Sequence, residues 1–376
     1  MKIIQIIDNF SLGGVNSFVY DLCYALKEQG CSVYLIGILN MGYDNNHEVE
    51  TLIKGGIRVV CIGATNKLDA LINNVGKLRN VIKEISDGEQ TICNLHLKLS
   101  VLMGVIATRW MDNIKCVETY HNTYHYYHLQ CWLCSPFIKN YICVSETAKE
   151  EMHQRFKIPY SRIKAIPNGV SRKRIRELAK IDQYKHEQGK LRIVSVGRLS
   201  YEKNFMVPIK AFTDICNKHI TYTLVGDGPQ EKEIREIASM NPYIKMTGAL
   251  SRENSLRELA MADIVVMPSL WEGRSILQLE AMALDKPMII SDIPGLREPF
   301  KVNGLLKSEL YRSSFFGYIV RTSDINSYIA AINDYVTSNN EFMDKIKYSL
   351  KTKAEEIDIK YTGWKYIQAY NEVINN

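Results

Sequence analysis

The sequence predicts an α/β protein built from two doubly wound domains, each with helices on both faces of a mostly parallel sheet. The chain has 376 residues, which is enough for two domains with a sizeable core each. Short β-branched runs alternate with longer amphipathic segments along its whole length. The alternation starts afresh near residue 191, after a highly charged segment.

In the first half, strand-length runs and helical patterns alternate in the way that βαβ units do, which indicates a parallel sheet. The predicted strands are 2–7, 32–37, 57–62, 91–96, 115–120 and 140–144, and the predicted helices are 15–29, 68–85, 98–110 and 145–155. Ligands of such sheets bind beyond the carboxyl ends of the strands. The residues that follow these strands are therefore candidate site residues.

A Pro-Asn-Gly turn at 167–169 closes this half, and the charged segment 171–190 is predicted to be a linker. A second sheet follows it. Its predicted strands are 191–196, 221–226, 243–247, 264–267 and 287–290, and later helical patterns cover 229–239, 251–261, 323–338, 341–355 and 359–375. The predicted domains are residues 1–170 and 191–358.

Composition is that of a globular protein, with 46% hydrophobic and 23% charged residues. The chain enters a strand-length run directly after Met1-Lys2, and no apolar stretch approaches the ~18 residues that span a bilayer. Nine cysteines, an odd number, then indicate reduced thiols and a cytoplasmic protein. Cys131 and Cys134 lack a second pair, which favours core thiols over a metal site.

The positive charge is concentrated in residues 151–180, which contain nine Lys and Arg against two Asp and Glu. Two interpretations remain open: a solvated connecting face, or a surface for an anionic membrane or a phosphorylated substrate. Nucleic acid is disfavoured because no reader motif accompanies the charge.

Residues 268–283 are the most informative stretch, because a strand stops at Pro268 and a helix of Leu, Met, Ala and Gln begins at Ser275. Glu272 lies in the turn, near unpaired helix N–H groups that suit a phosphate or a sugar hydroxyl. Glu280 lies within the helix among apolar neighbours and needs a partner, either a ribose diol or a cation on a neighbouring helix. Glu272 could alternatively be a first-turn acid that the helix dipole favours.

Other polar features follow strands. The adjacent glycines Gly13 and Gly14 allow the backbone to come close to a ligand, although the glycine fingerprint of dinucleotide-binding proteins is absent. His96 and His121 end successive strands and are expected to converge, in a structural or a functional role. Arg198 and Lys203 flank one strand-to-helix turn, where two cations suit a diphosphate.

The segment 125–129, with Trp132 and Phe137 beyond it, is unusually aromatic. It is either core or the apolar lip of an acceptor site near a membrane. His121 and His125 are four residues apart, but no acidic ligand follows them, so a metal site is disfavoured.

In order and spacing, these motifs resemble the retaining glycosyltransferases of family 4, which have the GT-B fold of two Rossmann-like domains facing each other across a cleft. The resemblance is strongest in the second half and looser in the first. The blocks that carry it are Val196–Leu199 with Lys203-Asn204, Leu224–Pro229, Glu272-Gly273 through Glu280–Ala283, and Asp292–Gly295 with Glu298; Gly13-Gly14, His96, His121, Val144–Glu146 and Ile166–Val170 agree.

The resemblance implies a role for each matching residue. Arg198 and Lys203 would hold the donor diphosphate, helped by the backbone of Gly14. Glu280 would bind the ribose hydroxyls, and Glu272 would contact the donor sugar. His121 would lie beside the reacting sugar, and the backbone facing the sugar and phosphate would be that of Gly273, Arg274, Ser275 and Ile276. Arg274 replaces a frequent aromatic residue and Asp285 a frequent glycine.

The implied protein is a cytoplasmic, metal-independent glycosyltransferase without a cofactor. It would move a sugar from a nucleotide-sugar donor, expected to be a UDP-sugar, to a glycan or lipid-linked acceptor, in capsule, exopolysaccharide or similar synthesis. The final helix, within 359–376, would pack back on the first domain, and peripheral contact with a membrane is an open alternative. The alternative functions are a nucleotide-sugar epimerase of the same fold, a non-catalytic sensor, and an oxidoreductase, which the missing fingerprint disfavours.

Overall fold

The computed structural model describes the whole chain except residues 45, 122–127, 182–189, 216, 303–305, 307–308, 339 and 376. The chain divides into two compact units. The first comprises Met1–Gly169 and Ile359–Asn376, and the second Val170–Asp358.

Each unit is organised around one seven-stranded sheet. The strands are β1 (Lys2–Ile7), β2 (Ser32–Leu39), β3 (Arg58–Ala64), β4 (Thr91–His96), β5 (Ile114–Tyr120), β6 (Ile138–Cys143), β7 (Ile163–Ala165), β8 (Leu191–Val196), β9 (Ile220–Val225), β10 (Ile244–Gly248), β11 (Ile264–Met267), β12 (Met288–Ser291), β13 (Tyr311–Ser314) and β14 (Gly317–Val320).

Helices connect most of these strands. They are α1 (Gly14–Glu28), α2 (His47–Lys54), α3 (Lys67–Asn73), α4 (Val75–Ser86), α5 (Lys98–Thr108), α6 (His128–Cys134), α7 (Glu146–Phe156), α8 (Arg172–Ala179), α9 (Met206–Thr213), α10 (Glu231–Ala238), α11 (Arg252–Ala260), α12 (Ile276–Ala283), α13 (Pro294–Arg297), α14 (Ile325–Thr337), α15 (Asn340–Glu356) and α16 (Ile359–Asn375). Short 3₁₀ turns include Ser135–Phe137, Tyr160–Arg162, Tyr201–Lys203 and Glu298–Phe300.

The first sheet is parallel throughout, in the order β3-β2-β1-β4-β5-β6-β7. β1 lies inside the sheet, between β2 and β4, and all four of its isoleucines are fully buried. A mostly apolar run of this kind, interrupted only by Gln5, is typical of a parallel strand whose two faces are both covered by helices. The second sheet runs β10-β9-β8-β11-β12-β14-β13 and is parallel except for the antiparallel pair β13–β14. The predicted α/β class with two doubly wound domains is confirmed.

The final helix, α16, belongs to the first unit and packs on α1. Its Gly363 allows the close approach, because a Cβ there would lie 3.1 Å from the Cβ of Ala25. The Gln29 side chain also donates a hydrogen bond to the carbonyl of Lys360 at 2.9 Å. Tyr366 and Tyr370 on the same helix are fully buried.

The charged segment 171–190, predicted as a linker, begins with a packed helix. Residues 172–179 form α8, which contacts α11 and α12 within the second unit. Ile175 and Ala179 are one helical turn apart and both fully buried, so this short helix has an apolar stripe despite its charge. Residues 182–189 lie outside the described part of the chain.

Some elements differ from the sequence prediction. The helix predicted over 68–85 is two helices, α3 and α4, which are separated at Asn74. The hairpin β13–β14 was not predicted, because strands of four residues carry too little periodic pattern. Helices α2 and α6 were also missed, for the same reason of length.

Asp285 ends the turn after α12 with a left-handed backbone, at φ 58°. Glycine adopts this conformation more easily than an aspartate does. The Asp285 carboxylate accepts hydrogen bonds from Arg172 at 2.8 and 2.9 Å and from Arg176 at 3.0 Å. Two arginines of α8 therefore compensate for the departure from glycine at this position.

Most cations of residues 151–180 have partners, which favours a structural interpretation of this stretch over a free basic face. The pairs join Arg155 to Glu151, Lys164 to Glu372, Arg172 and Arg176 to Asp285, Lys173 to Glu177, and Lys180 to Glu253; Arg162 donates to the carbonyls of Ser135 and Ile138. Within the described residues, none of the helices has both the length and the apolar character that crossing a bilayer requires.

We expect Asp285→Ala to lower the free energy of unfolding by about 1–3 kcal/mol, because it leaves two partly buried arginines without their carboxylate. Asp87→Ala is the matched control. Asp87 also has a left-handed backbone, at φ 48°, but forms no ion pair within the described residues. Urea unfolding of both variants separates the ion pairs from the backbone strain, and equal losses would contradict the role of the two arginines.

Candidate active site

Lys203 and Glu272 form an ion pair in the second unit, at the carboxyl ends of the neighbouring strands β8 and β11. The Lys203 ammonium donates to Glu272 Oε1, and the Ser269 hydroxyl donates to the same oxygen at 2.9 Å. The Glu272 side chain is 10% exposed, whereas that of Lys203 is 28% exposed. A mostly buried carboxylate is thus held in one orientation by two donors.

Backbone contacts set this geometry. Asn204 has a left-handed backbone, at φ 55°, and its side chain donates to the carbonyls of Pro268 at 3.1 Å and Thr322 at 2.9 Å. The amide of Leu270 donates to the carbonyl of Glu202 at 2.8 Å. The turn that carries Lys203 is therefore fastened to the loop that carries Glu272.

Two motif glycines are required by close packing in the same region. A Cβ on Gly295 would lie 2.1 Å from the carbonyl oxygen of Glu272, and one on Gly226 would lie 1.9 Å from that of Gly197. Both distances are far below van der Waals contact, so no side chain fits at either position. The block around Gly295 consequently supports the backbone beneath Glu272.

The N-terminus of α12 is open. Ser275 precedes the helix without capping it through its side chain, and the first turn contains no acidic residue. Glu272 lies four residues before the helix begins, so its interpretation as a first-turn acid is wrong. The unpaired N–H groups of the first turn make this end attractive to an anion. These are the residues Gly273, Arg274, Ser275 and Ile276 that were expected to face the donor.

Arg274 lies next to this helix end. Burial lowers the pKa of its guanidinium to about 10, and the Glu298 carboxylate opposes that fall. The side chain therefore remains a cation at neutral pH. Arg198, on the turn after β8, is exposed and forms no ion pair within the described residues.

Glu280 lies inside α12, and its Oε1 is 3.5 Å from the Nε atom of Arg252 on α11. The two side chains are 13% and 7% exposed. Of the two partners predicted for Glu280, a ribose diol or a cation on a neighbouring helix, this structure contains the cation. The predicted ribose contact of Glu280 stays a prediction.

In the first unit, Gly14 begins α1, whose N-terminus has neither a side-chain cap nor an acid in its first turn. Asn16 stabilises the preceding loop, because its side chain donates to the carbonyls of Asn9 at 2.9 Å and Ser11 at 2.7 Å. Gly13 and Gly14 are both exposed. This end, like that of α12, presents backbone N–H groups that no side chain of the cap residue binds.

His96 and His121 converge, as their positions on successive strands predicted. His96 Nδ1 lies 2.8 Å from His121 Nε2. Burial lowers the pKa of His121 to about 3, and the pKa of His96 is also well below its ordinary value, because of burial and the neighbouring His121. Both rings are therefore neutral at physiological pH.

The structure thus groups the predicted residues by unit. Gly14 and His121 belong to the first unit, and the other eight belong to the second. Sequence reasoning missed Ser269 and Arg252, which bind Glu272 and Glu280. It also missed Gln5, which contacts His96 at 2.6 Å. A polar residue inside the apolar run of β1 was the one signal that could have singled out Gln5.

Of the aromatic segment, residues 125–127 lie outside the described part of the chain. Leu129 and Trp132 on α6 are 69% and 72% exposed. They therefore do not belong to the core.

Comparison with known families assigns both halves of the chain. Residues 12–174 match the model of Glycosyltransferase Family 4, and residues 177–352 match that of Glycosyl transferases group 1. The chain therefore belongs to the family 4 glycosyltransferases with the GT-B fold.

Individual relatives are distant. The chain is 24% identical, over 70% of both lengths, to the UDP-Gal:alpha-D-GlcNAc-diphosphoundecaprenol alpha-1,3-galactosyltransferase of Escherichia coli. It is 23% identical to the alpha-monoglucosyldiacylglycerol synthase of Streptococcus pneumoniae, over 65% of this chain and 62% of that protein. A Methanocaldococcus jannaschii glycosyltransferase is 28% identical, but the match covers 44% of this chain and 45% of that protein. The matches thus cover between 45% and 70% of the length of these relatives.

Solved structures agree on the fold. Anabaena HepE in complex with UDP and glucose superposes with a TM-score of 0.78 at 16% identity, covering 99% of this chain and 100% of that one. A glycosyltransferase from Rickettsia africae superposes with a TM-score of 0.75 at 17% identity, covering 100% and 99%.

The buried histidines predict acid sensitivity. Above pH 6.5 both rings are neutral in the folded and in the unfolded chain. Below pH 6.5 the histidines of the unfolded chain bind protons, whereas those of the folded chain stay neutral, so the free energy of unfolding decreases as the pH is lowered. Between pH 7 and pH 5, we expect the free energy of unfolding of His121→Gln to decrease by about 2 kcal/mol less than that of the wild type. Urea unfolding midpoints at both pH values measure the difference.

His219→Gln is the control, since His219 is exposed. It should lose as much stability as the wild type over the same pH interval. The same loss in His121→Gln would show that His121 does not titrate as its burial requires.

Proposed function

We propose that the protein transfers a sugar from a UDP-sugar to a lipid-linked or glycan acceptor, with retention of the anomeric configuration and without a metal ion. The observation that carries the donor half of this proposal is the ion pair of Lys203 and Glu272 beside the open N-terminus of α12.

The pair combines the two groups that a sugar diphosphate requires. The Lys203 ammonium is partly exposed and can turn from Glu272 to a phosphate oxygen. Glu272, fixed by Ser269, then accepts hydrogen bonds from sugar hydroxyls. Arg198 provides a second cation, which is exposed and forms no ion pair in the described part of the chain.

Charge development explains why such groups catalyse transfer. Cleavage of the sugar–phosphate bond builds positive charge on the sugar and negative charge on the departing diphosphate. Fixed cations and helix N–H groups directed at that diphosphate stabilise the transition state. Arg198, Lys203 and α12 provide this charge, so we expect no need for a divalent cation. In our proposal the departing phosphate accepts the acceptor's proton on the face that it leaves, and the configuration is retained.

Two comparisons support a uridine nucleotide. HepE binds UDP and glucose in its crystal structure, and the Escherichia coli relative is named for UDP-galactose. The Escherichia coli and Streptococcus pneumoniae relatives support a lipid acceptor, since their names give a diphosphoundecaprenol sugar and a monoglucosyldiacylglycerol.

An exposed aromatic patch in the first unit suits such acceptors. We define it as four side chains that are between 37% and 72% exposed: Leu129 and Trp132 on α6, Phe137 in the turn directly after α6, and Trp110, which shares the cation Arg109 with Phe137. The Arg109 guanidinium lies 5.2 Å from the Trp110 ring centre and 5.1 Å from that of Phe137. Aromatic rings next to cations are typical of surfaces that contact anionic lipid headgroups. We propose that the aromatic patch contacts the membrane that holds the acceptor.

Lys203→Ala and Glu272→Ala should each lower transfer by at least about a hundredfold, because each removes a group that acts on the departing diphosphate or the sugar. The assay measures release of UDP and formation of product from a panel of UDP-, GDP- and ADP-sugars, with and without a chelator. Lys210→Ala, which changes an exposed lysine on α9, is the control and should behave like the wild type.

Thermal unfolding should also show stabilisation by UDP of about 2.7 kcal/mol at 100 times its dissociation constant. At the same UDP concentration the stabilisation should shrink in Lys203→Ala, because the variant binds UDP more weakly. Unchanged turnover in both site variants, or loss of transfer in the chelator, would contradict this part of the proposal. A changed free sugar without an acceptor product would indicate an epimerase.

For the membrane, we expect Trp110→Ala combined with Trp132→Ala to reduce binding to anionic vesicles at least about tenfold, because two large apolar side chains no longer enter the interface. Sedimentation with vesicles of anionic or neutral lipid measures the effect. Trp364→Ala is the control, since Trp364 is 45% exposed but lies on α16, outside the aromatic patch. Equal vesicle binding by the wild type, the double variant and Trp364→Ala would contradict the proposed membrane contact of the aromatic patch.

A further inference from the structure

A continuous chain of buried polar side chains connects the final helix to His121. Gln5 Nε2 donates to the Tyr370 hydroxyl at 3.4 Å, and Gln5 Oε1 lies 2.6 Å from His96 Nε2 and 2.9 Å from Asn94 Nδ2. His96 Nδ1 in turn lies 2.8 Å from His121 Nε2. None of these five side chains is more than 5% exposed.

The direction of these hydrogen bonds follows from the amides. Asn94 Oδ1 accepts from the Thr119 hydroxyl at 3.0 Å, and Asn94 Nδ2 faces Gln5 and donates to its Oε1. Gln5 presents Nε2 to Tyr370, which leaves its Oε1 as an acceptor. His96 Nε2 lies 2.6 Å from Gln5 Oε1 and 3.2 Å from Asn94 Nδ2. The nearer partner is a carbonyl oxygen, which cannot donate, so we assign the proton to His96 Nε2, which donates it to Gln5, while Asn94 Nδ2 donates to the same Gln5 oxygen.

The protonation of His96 decides that of His121. A neutral imidazole has one ring proton, so His96 Nδ1 bears a lone pair and accepts from His121 Nε2–H. His121 Nδ1 is then unprotonated. Burial keeps both rings neutral at physiological pH by lowering the pKa of each. The edge of Phe18 packs against the His121 ring, with centroids 5.7 Å apart, and restricts its rotation.

We propose that Gln5, His96 and Tyr370 are positioning residues that hold His121 as the Nε2–H tautomer, so that Nδ1 accepts a hydrogen bond from a hydroxyl of the donor sugar. This inference rests on the proposed function and on the role that the family resemblance implies for His121, as a neighbour of the donor sugar. It assigns α16 a role beyond packing, because Tyr370 on this helix accepts the hydrogen bond from Gln5 Nε2, and the Gln5 amide determines which ring nitrogen of His96 carries the proton.

The consequence is a requirement for one sugar hydroxyl. A lone pair accepts from a hydroxyl but finds no partner in a deoxy sugar, and an unpaired polar group in a desolvated site is costly. Among mono-deoxy versions of the accepted donor, at least one should therefore be a substrate with kcat/KM reduced tenfold or more.

The tautomer can be measured without a substrate. Two-bond ¹H–¹⁵N correlation NMR on the full chain with ¹⁵N-labelled histidine distinguishes the two tautomers, and the chain has only eight histidines. His121→Gln assigns the signal. We expect the Nε2–H pattern for both His96 and His121 in the wild type. An Nδ1–H pattern for His121, or an average of both patterns, would overturn the proposal.

Variants of Gln5 test the cause. Gln5→Met removes the acceptor of His96 and should give mixed tautomers, with kcat at least tenfold lower and the donor KM within about twofold. Gln5→Glu keeps an acceptor oxygen and should restore the Nε2–H pattern. Gln29→Met is the matched control: Gln29 also binds α16, through Lys360, but does not contact the histidines. It should leave the tautomer and kcat unchanged.

Tyr370→Phe removes a single oxygen and is the second variant should Gln5→Met fail to fold. It removes the partner of Gln5 Nε2, so mixed tautomers are expected. An unchanged pattern in Tyr370→Phe, or in a folded Gln5→Met, would overturn the proposal. The two proposals fail separately. Absence of transfer from every nucleotide sugar would remove the proposed function, whereas a wrong tautomer in an active enzyme would remove only this inference.

Discussion

Burial of both faces of each parallel sheet is the constraint on which the rest of the structure depends. A central strand such as β1 has room only for apolar side chains along most of its length, because helices cover the sheet on either side. Polar groups that act on a ligand are therefore confined to the carboxyl ends of strands and to the helix ends that follow them. Lys203, Glu272 and Gly14 all lie in such positions.

Within this constraint, close backbone packing and ion pairing cooperate. Gly226 and Gly295 let loops approach until no Cβ would fit, and Asn204 fastens the turn of Lys203 to the loop of Glu272. Glu272 is thus held in place before a ligand binds, so its carboxylate needs little further ordering when a sugar docks. The same logic explains Asp285, where two arginines stabilise a conformation that glycine adopts more easily.

The polar chain through Gln5 is the exception to the apolar rule for β1. A buried glutamine is costly unless its amide is fully hydrogen-bonded, and here Tyr370, Asn94 and His96 satisfy it. Three partners from β4 and α16 give the amide one orientation. A buried polar network fixes one arrangement of its side chains more strictly than apolar packing does. A fixed arrangement is what the orientation of His121, at the end of the network, requires.

The sequence by itself determined the fold class, the strands and helices with a long periodic pattern, and the family, because burial patterns and motif glycines are local. It also located Lys203, Glu272 and both histidines at strand ends. Only the tertiary structure decided which groups meet: Ser269 with Glu272, Arg252 with Glu280, Gln5 with His96, and α8 with Asp285. These partners are distant in sequence or carry no pattern of their own. Hydrogen bonds and ion pairs between them depend on which segments lie next to each other, and only the folded sheets determine that.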